Sequence, residues 1–491
     1  MSKLTCILIV ENGDDLTEIK KIQIHGRSED EASEGWCFGV SIGEAISGIA
    51  PNICRPDDVV KGITDVYLEE RNLNELAKTC ELIPDGVQTL SKMPEKHVNG
   101  VYPKYITHGK GAYVYGDDGK RYIDYPCGLG AVLLGYANDR VNQAVKEQLM
   151  RGSIFSLPNY LETELAERIV DLIPSAEKVR FLKTGSEATS AAVKIARAFT
   201  GKEGIICIGY HGWHDWYCST TTKKAGVPEQ AVVQCKYNSI SEVITAFEYN
   251  EQEDMTGIAA VIMEPYILDE PNYGYLNKIR KLCDRYGALL IFDEVVTGFR
   301  TTDYSAQKMF KIMPDLTCLG KAMANGLPIS AVCGKKEIMN VLMKDCFVSS
   351  TFGGELLSIA AALEVLKILD EENIIHKIWD SGNLFKEGFK QIVDSCKMGD
   401  YIGIKGYPPR TFFTFSSEAH KSLFWQECLG KGVLFGYAQF ISASHGRDEI
   451  DQTLLAMKHG VQMVSKYFDN PKAALRGEVA QETFRSDAVK R

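Results

Sequence analysis

Lys321 stands alone in its surroundings, directly after Gly320 and before a stretch of small residues that ends at Asn325-Gly326. No acidic side chain is adjacent to it in the sequence. Proteins rarely bury a lysine without a functional reason. A buried lysine amine has a lowered pKa, and its neutral form can condense with a carbonyl group to give a Schiff base. Lys321 is therefore a candidate nucleophile.

Carboxylates follow two apolar runs that have the character of buried strands. Asp293 and Glu294 end the run "ALLIFDE", and Glu264 ends the run "GIAAVIME". Burying an unpaired carboxylate is costly, so each of these side chains is expected to have a partner. For the pair at 293 and 294 the candidates are Arg300, a metal ion or a protonated ring nitrogen.

The sequence "KTGSEA" follows another strand-like run and opens a helical pattern. Gly185 and Ser186 would place backbone amides and a hydroxyl at the positive end of that helix, which is a site suited to an anion. The alternative is that Ser186 only caps the helix, with Glu187 nearby.

Aromatic residues follow a third strand-like run, in "GYHGWHDWY". Tyr210, His211 and Trp213 offer enough aromatic surface to stack on a flat ligand, and a core aromatic cluster is the alternative. His211 and His214 have a spacing found in metal sites. No arrangement of cysteines or acidic residues completes such a site, so no metal is expected.

Together these residues describe a pocket for pyridoxal phosphate. Gly185 and Ser186 would hold its phosphate, and Tyr210 would stack on its ring. Asp293 would keep the ring nitrogen protonated, so that the ring can accept electrons. Lys321 would hold the aldehyde and then move protons.

These residues must be positioned by a mainly parallel sheet. The apolar runs "VRFLKTG", "GIICIG", "GIAAVIMEP", "ALLIFDE" and "ISAVCG" alternate with helical patterns over 187–199 and 276–286. Nearly continuous apolar strands between helices are typical of an α/β fold with the sheet buried on both faces. Ligands of such sheets bind beyond the carboxyl ends of the strands, where the candidate residues fall.

Five segments are expected along the chain. Residues 1–76 form a small α+β appendage with strands in "LTCILIVEN" and "IKKIQIHG" and a helix within 55–80. This appendage is an oligomerisation unit, a partner-binding unit or a stabilising extension. Residues 77–135, with a hairpin in "GAYVYGDDGKRYIDY", join a small domain. Residues 136–364 form the large domain and 365–468 a small α+β domain with strands in "RTFFTFS" and "GVLFGYAQFISAS". Residues 469–491 form a polar, loosely held tail.

Composition excludes several classes of protein. The net charge of -10 argues against a nucleic-acid or membrane-surface binder. No apolar run is long enough to span a bilayer. The 14 cysteines include no C-x-x-C pair, which favours reduced thiols and a cytoplasmic protein.

The order of the motifs resembles the class III aminotransferase family of fold-type I pyridoxal-phosphate enzymes. The likeness covers about residues 77–468 and is carried by "GKGAYVYGDDGKRYIDY", "LKTGSEATSAAVKIAR", "YHGWHD", "IMEP", "LLIFDEVVTGFR", "PDLTCLGKAMANGLPISAVCG" and "STFGGE". Within the family, the branch that looks most similar is the glutamate-1-semialdehyde aminomutase-like enzymes, which include some found with surface-sugar biosynthesis.

The resemblance implies a role for each matching residue. The implied roles are the Schiff-base lysine for Lys321, the partner of the ring nitrogen for Asp293, packing on the two ring faces for Val295 and Tyr210, cofactor contact for His211, the phosphate cup for Gly185 and Ser186, and an active-site glutamate for Glu264. Thr351 matches a phosphate ligand donated by the neighbouring subunit, which implies a homodimer with shared sites.

The segment "IPDGVQTLSKMPEKHVNGVYPKYI" is similar to the substrate-entrance segment of the aminomutase-like branch. Semialdehyde aminomutases have there an arginine that binds the substrate carboxylate, and the matching residue is Lys92. A lysine attracts an anion as a point charge, without the bidentate fork. Lys92 and Thr89 are therefore the expected substrate contacts.

The expected function is transfer of an amino group from a small-molecule donor to a small carbonyl acceptor. A polyhydroxylated or sugar-like acceptor agrees best with the resemblance. Two alternatives stay open: an intramolecular aminomutase of the glutamate-1-semialdehyde type, and a catalytically silent relative that binds a partner through residues 1–76.

Overall fold

The computed structural model describes residues 3–9, 19–25, 78–252, 256–344 and 346–481. Contacts divide the chain into two compact units, Met1–Gln88 and Thr89–Arg491. In the first unit, the two predicted strands are present as β1 (Lys3–Ile9) and β2 (Ile19–His25), and they pair antiparallel. Most of the helix predicted within 55–80, and the predicted boundary at residue 76, lie outside the described residues.

Strands of the second unit belong to three sheets. Their bounds are β3 Ile106–Lys110, β4 Tyr113–Gly116, β5 Arg121–Asp124, β6 Lys178–Leu182, β7 Gly204–Ile208, β8 Val232–Gln234, β9 Ile258–Met263, β10 Leu289–Asp293, β11 Leu316–Leu319, β12 Ser330–Gly334, β13 Ile402–Tyr407, β14 Arg410–Phe415, β15 Val433–Leu434 and β16 Gln439–Phe440.

Helices cover the sheets and link the strands. Their bounds are α1 Cys127–Gly130, α2 Asp139–Leu149, α3 Tyr160–Leu172, α4 Gly185–Thr200, α5 Asp215–Cys218, α6 Ile240–Gln252, α7 Tyr275–Tyr286, α8 Ala306–Phe310, α9 Lys336–Met339, α10 Leu356–Glu371, α11 Ile374–Ser395, α12 Glu418–Leu429 and α13 Arg447–Lys466.

The central sheet has the order β6-β12-β11-β10-β9-β7-β8. Strand β12 is antiparallel to both of its neighbours, and the other neighbouring pairs are parallel. Every residue of β7, β9 and β10 is buried, because helices pack on both faces. The fold is therefore the predicted fold-type I architecture. The short strands β8 and β11 were not among the predicted runs.

The N-terminus of helix α4 excludes the alternative that Ser186 caps the helix. Its N-cap is Thr184, and Glu187 completes a capping box with it, so Ser186 is not the cap. The helix ends at Thr200 and is capped by Gly201, whose φ of +68° lies in the left-handed region that glycine adopts without strain. Ser186 is thus left to face the carboxyl edge of the sheet.

Two smaller antiparallel-rich sheets complete this unit. The predicted hairpin is formed by β4 and β5, which pair around Gly116 to Arg121. Strand β15 adds to β5 in parallel, giving the order β15-β5-β4-β3. The remaining sheet has the order β13-β14-β16. Arg410, the first residue of β14, lines a cavity at the carboxyl ends of the central strands.

Residues 476–481 are fastened to the rest of the unit, so the expectation of a loosely held tail is wrong for them. The backbone N–H of Glu478 donates to the carbonyl oxygen of Asn99 at 2.9 Å, and that of Ala480 donates to Ser422 Oγ at 2.9 Å. Ala480 is buried. Buried main-chain groups need such partners, and here the segment finds them on two distant elements.

No helix in the described parts of the chain is both long and apolar enough to cross a membrane.

Candidate active site

A cavity of about 200 Å³ lies at the carboxyl ends of the central strands. Eight of the predicted site residues line it: Gly185, Ser186, Tyr210, His211, Glu264, Asp293, Val295 and Lys321. They lie at or just after the carboxyl ends of β6, β7, β9, β10 and β11. Local sequence patterns place each residue at a strand end, and the parallel sheet brings those ends together.

The N-terminus of α4 forms a tight cradle at one end of the cavity. A side chain at Gly185 would place its Cβ 2.8 Å from Cγ1 of Val295. Gly212 has a φ of +101°, and a Cβ there would overlap Ser186. Trp213 N–H donates to Ser186 Oγ at 3.3 Å. Backbone amides and a hydroxyl at the positive end of a 16-residue helix suit a phosphate group.

Asp293 carries a buried carboxylate, 4% exposed, at the end of β10. Its Oδ1 accepts the N–H of Val295 at 3.1 Å. Its Oδ2 lies 2.8 Å from Nδ1 of His211, which is 2% exposed. A carboxylate in such a place is stabilised by a cation, and a protonated ring nitrogen would supply one.

Arg300 is not the partner of Asp293. Its guanidinium is buried and donates to three backbone carbonyl oxygens, those of Gly130, Val132 and Ile441. Burial lowers the pKa of Arg300 to about 10. This arginine therefore holds the backbone around α1 by hydrogen bonds, and it is not among the residues that line the cavity.

Glu294 also has a structural role. It is fully buried, and its oxygens accept hydrogen bonds from Ser305, the backbone of Ala306, Gln307 and Thr297. Burial raises its pKa, which those four donors oppose. Of the two adjacent acids, only Asp293 lines the cavity.

Lys321 begins a short 3-10 turn, Lys321–Ala324, and has a φ of +45°. A positive φ is uncommon for a residue with a side chain and is often held in place at functional sites. Asn325 fastens the turn, because its Oδ1 accepts the N–H groups of Leu133 and Leu134 at 2.8 Å. Lys321 is partly exposed where it lines the cavity, whereas the sequence analysis expected a buried lysine.

Arg410 is a lining residue that the sequence analysis missed. It opens β14, and its Nη1 lies 3.1 Å from Oε2 of Glu264. The other oxygen of Glu264 accepts the N–H of Tyr210 at 3.3 Å. The only sequence signal was an arginine at the start of the apolar run "RTFFTFS". Six further residues that line the cavity were not predicted: Thr189, Gly212, Ile267, Val296, Phe412 and Tyr437.

Four predicted residues do not line the cavity, and one of them is Trp213, which is 69% exposed. Among the described residues that line the cavity, Thr351, Lys92 and Thr89 are absent. Lys92 is exposed. Burial raises the pKa of Asp124 to about 6, and the charge of Lys92 opposes this rise. Thr351 is exposed on this chain.

Comparison with known proteins agrees with this geometry. The family Aminotransferase class-III matches residues 95–439. The chain belongs to the class III aminotransferases. It is 36% identical over 355 residues to the 3-aminobutyryl-CoA aminotransferase of Cloacimonas acidaminovorans (strain Evry), covering 71% of this chain and 84% of that protein. It is 37% identical over 424 residues to the glutamate-1-semialdehyde 2,1-aminomutase of Methanothrix thermoacetophila, covering 79% and 95%.

Solved structures share the fold of this class III enzyme. The FumI protein of Sphingopyxis sp. MTA144 superposes with a TM-score of 0.76 at 26% identity, over 84% of this chain and 99% of that one. An omega-transaminase from Sphaerobacter thermophilus has a TM-score of 0.71 at 24% identity, over 80% and 97%.

The cofactor of this enzyme is pyridoxal 5'-phosphate, and the cavity fits it. The cradle at Gly185 and Gly212 leaves no room for side chains where a phosphate would bind. The buried carboxylate of Asp293 suits a protonated ring nitrogen. Lys321 offers an amine in the same cavity.

Proposed function

We propose that this enzyme transfers an amino group from a small amino donor to a small carbonyl acceptor. One observation carries the proposal: Lys321, the Asp293–His211 pair and the amide cradle of α4 border a single cavity of about 200 Å³. This set of groups supports amino-group chemistry and argues against a catalytically silent relative.

Bound pyridoxal phosphate supplies an aldehyde that takes up amines and a ring that accepts the electrons released with a proton. The amine of Lys321 removes the proton from the amine-bearing carbon of the donor and later returns a proton. Asp293, held by His211 and the N–H of Val295, would place its carboxylate against the ring nitrogen. Val295 and Tyr210 would pack on the ring, and the Gly185–Ser186 turn would bind the phosphate.

We propose an uncharged, polyhydroxylated acceptor, of the kind that a sugar derivative provides. The charged side chains in the described lining are Glu264, Asp293, Lys321 and Arg410. Arg410 is already paired with Glu264, and Asp293 is assigned to the ring nitrogen. Little positive charge is then left for a substrate carboxylate, whereas paired donors and acceptors suit hydroxyl groups.

An intramolecular aminomutase is the second candidate, because a glutamate-1-semialdehyde 2,1-aminomutase is 37% identical to this chain. The two reactions differ in what they need. A mutase isomerises one substrate that carries both the amine and the carbonyl group, and a transferase needs a separate acceptor. The exposed Lys92 would contact a charged substrate only if the chain moves, since it lies outside the cavity in the described structure.

The direct test follows the visible absorbance of the holoenzyme. A panel of amino donors is added without an acceptor, and loss of the aldehyde absorbance is expected with one of them. A panel of carbonyl compounds then restores the absorbance and yields an amine product. Isomerised product from one amine-bearing aldehyde, with no second substrate, would contradict the transferase and favour the mutase. Lys321→Ala should remove both responses.

We further propose a homodimer in which Thr351 reaches the phosphate of the partner's site. Thr351 is exposed, and three large apolar residues near it in the sequence are exposed too: Met343 is 76%, Phe347 78% and Phe352 57% exposed. Exposed apolar side chains of this size are typical of a surface that another chain covers.

A further inference from the structure

We infer that Ser190, His214 and Trp216 form a hydrogen-bonded network that holds the cradle turn, residues 211–214, against helix α4. The network thereby positions the groups that receive the cofactor phosphate. His214 is then a positioning residue, although it is not among the described residues that line the cavity. The inference concerns cofactor binding alone, so it goes beyond the proposed transferase and does not depend on it.

The cradle turn forms one side of the phosphate cradle and belongs to neither a helix nor a strand. Gly212 has a φ of +101°, and the N–H of Trp213 donates to Ser186 Oγ at 3.3 Å. Backbone outside helices and sheets takes its hydrogen bonds from side chains or water. The side chains that contact this turn therefore fix its geometry.

Two neighbouring hydroxyl groups of α4 fasten the two ends of the cradle turn. Thr189 Oγ1 donates to the carbonyl oxygen of His211 at 2.8 Å. Ser190 Oγ lies 2.7 Å from Nδ1 of His214. Because Thr189 and Ser190 are adjacent on one helix, the turn is tied to the same element that begins with the phosphate-binding amides. The gap between the turn and the start of α4 is thereby fixed at both ends.

Trp216, on α5, sets the direction of the hydrogen bond between Ser190 and His214. Its Nε1–H donates to Ser190 Oγ at 2.9 Å, and the indole is 6% exposed. An indole nitrogen can only donate, so Ser190 is the acceptor in that contact. The hydroxyl hydrogen of Ser190 then goes to Nδ1 of His214, which is the acceptor that the described residues offer it.

The test uses the holoenzyme and needs neither an amino donor nor an acceptor. Cofactor release is followed by visible absorbance after dilution into alkaline phosphatase, which destroys the free cofactor. Phosphorus NMR of the bound cofactor reports the surroundings of its phosphate. Ser190 and His214 are only half-buried, so changing them removes little core packing, and melting temperatures should stay close to that of the wild type.

His214→Phe removes Nδ1 and keeps a ring beside Trp213, which contacts His214 edge-on with centroids 4.9 Å apart. It should release the cofactor about 3- to 10-fold faster, the effect of one lost hydrogen bond, and shift the phosphorus signal. His214→Asn, whose Oδ1 can take the place of Nδ1, should return both values towards the wild type. The visible absorbance should be unchanged in both variants, because His211 keeps its contacts with Thr189 and Asp293.

Ser190→Ala removes the centre of the network and should match His214→Phe. The double variant should be no worse than either single one, since both changes remove the same contact. Trp216→Phe keeps a ring and removes Nε1, and it should also speed release. Ser219→Ala is the matched control, because its hydroxyl donates within its own turn, to the carbonyl oxygen of Trp216 at 3.0 Å. If Ser190→Ala does not fold, His214→Phe against His214→Asn decides the question.

Four results would overturn the network. Release rates close to the wild type in His214→Phe and Ser190→Ala would do so, as would faster release with an unmoved phosphorus signal, which reports instability away from the phosphate. Equal behaviour of His214→Asn and His214→Phe would remove the role given to Nδ1. A double variant whose effect is the product of the single effects would show that the two residues act separately. A failure of every amino donor would leave these readouts in place and affect the proposed transferase alone.

Discussion

The His211–Asp293 pair gives the sharpest prediction about catalysis. His211→Phe keeps an aromatic ring beside Trp216 and Tyr217 and removes the 2.8 Å contact with Oδ2 of Asp293. Both partners are at most 4% exposed, so water cannot replace the lost donor. Leaving a buried acceptor unsatisfied costs about 1–3 kcal/mol.

That cost should appear in the rate of the first half-reaction. Asp293 would hold its charge less firmly against the ring nitrogen, and the electrons released with the proton would be less well accepted. Since about 1.4 kcal/mol corresponds to a tenfold change in rate, the expected loss is about 5- to 150-fold. The phosphate cradle and Lys321 are untouched, so the bound cofactor and its visible absorbance should be retained.

Stopped-flow absorbance with a saturating amino donor measures this rate. His211→Asn, whose amide can still donate, should fall between the wild type and His211→Phe. His459→Phe, at a partly exposed pair with Glu427, is the control for loss of a histidine elsewhere. A rate for His211→Phe within twofold of the wild type would refute the role given to this pair.

Three further predictions test the cradle, a buried acid and the subunit arrangement. Gly212→Ala should weaken cofactor binding at least tenfold in a titration of the apoenzyme, whereas Gly119→Ala, also at positive φ but with open space around it, should not. The pKa of Asp124 is raised to about 6 by burial, so the folded protein holds this proton up to a higher pH than the unfolded chain does. Wild-type stability relative to Asp124→Asn should therefore fall by about 2 kcal/mol between pH 4 and pH 6.5 in urea unfolding, and a flat difference would contradict this. Mixing inactive Lys321→Ala with Thr351→Glu, each inactive alone, should restore activity through heterodimers with one complete site; no recovery after subunit exchange would contradict the shared site.

The sequence was a good guide wherever function follows from local pattern. Apolar runs without polar interruption predicted the strands β7, β9, β10 and β12, because strands buried on both faces need such composition. The edge strand β6 was predicted from a run that includes the exposed Arg180. The chemistry-bearing residues at their carboxyl ends then had to meet at one edge of the sheet. Eight predicted residues do line one cavity.

Other features depend on contacts between distant parts of the chain. Arg410 pairs with a glutamate 146 residues away, and no local spacing reports such a pair. The polar segment 476–481 is held by hydrogen bonds to Asn99 and Ser422, which composition does not reveal. The expectation of a buried Lys321 was wrong, because an amine that must meet substrates borders a cavity.

Reduction of the holoenzyme with borohydride, followed by peptide mapping, tests the central claim most directly. The account predicts a pyridoxyl adduct on the peptide that contains Lys321 and its loss in Lys321→Ala. An adduct on another lysine, or no adduct in an enzyme that retains its cofactor absorbance, would contradict it.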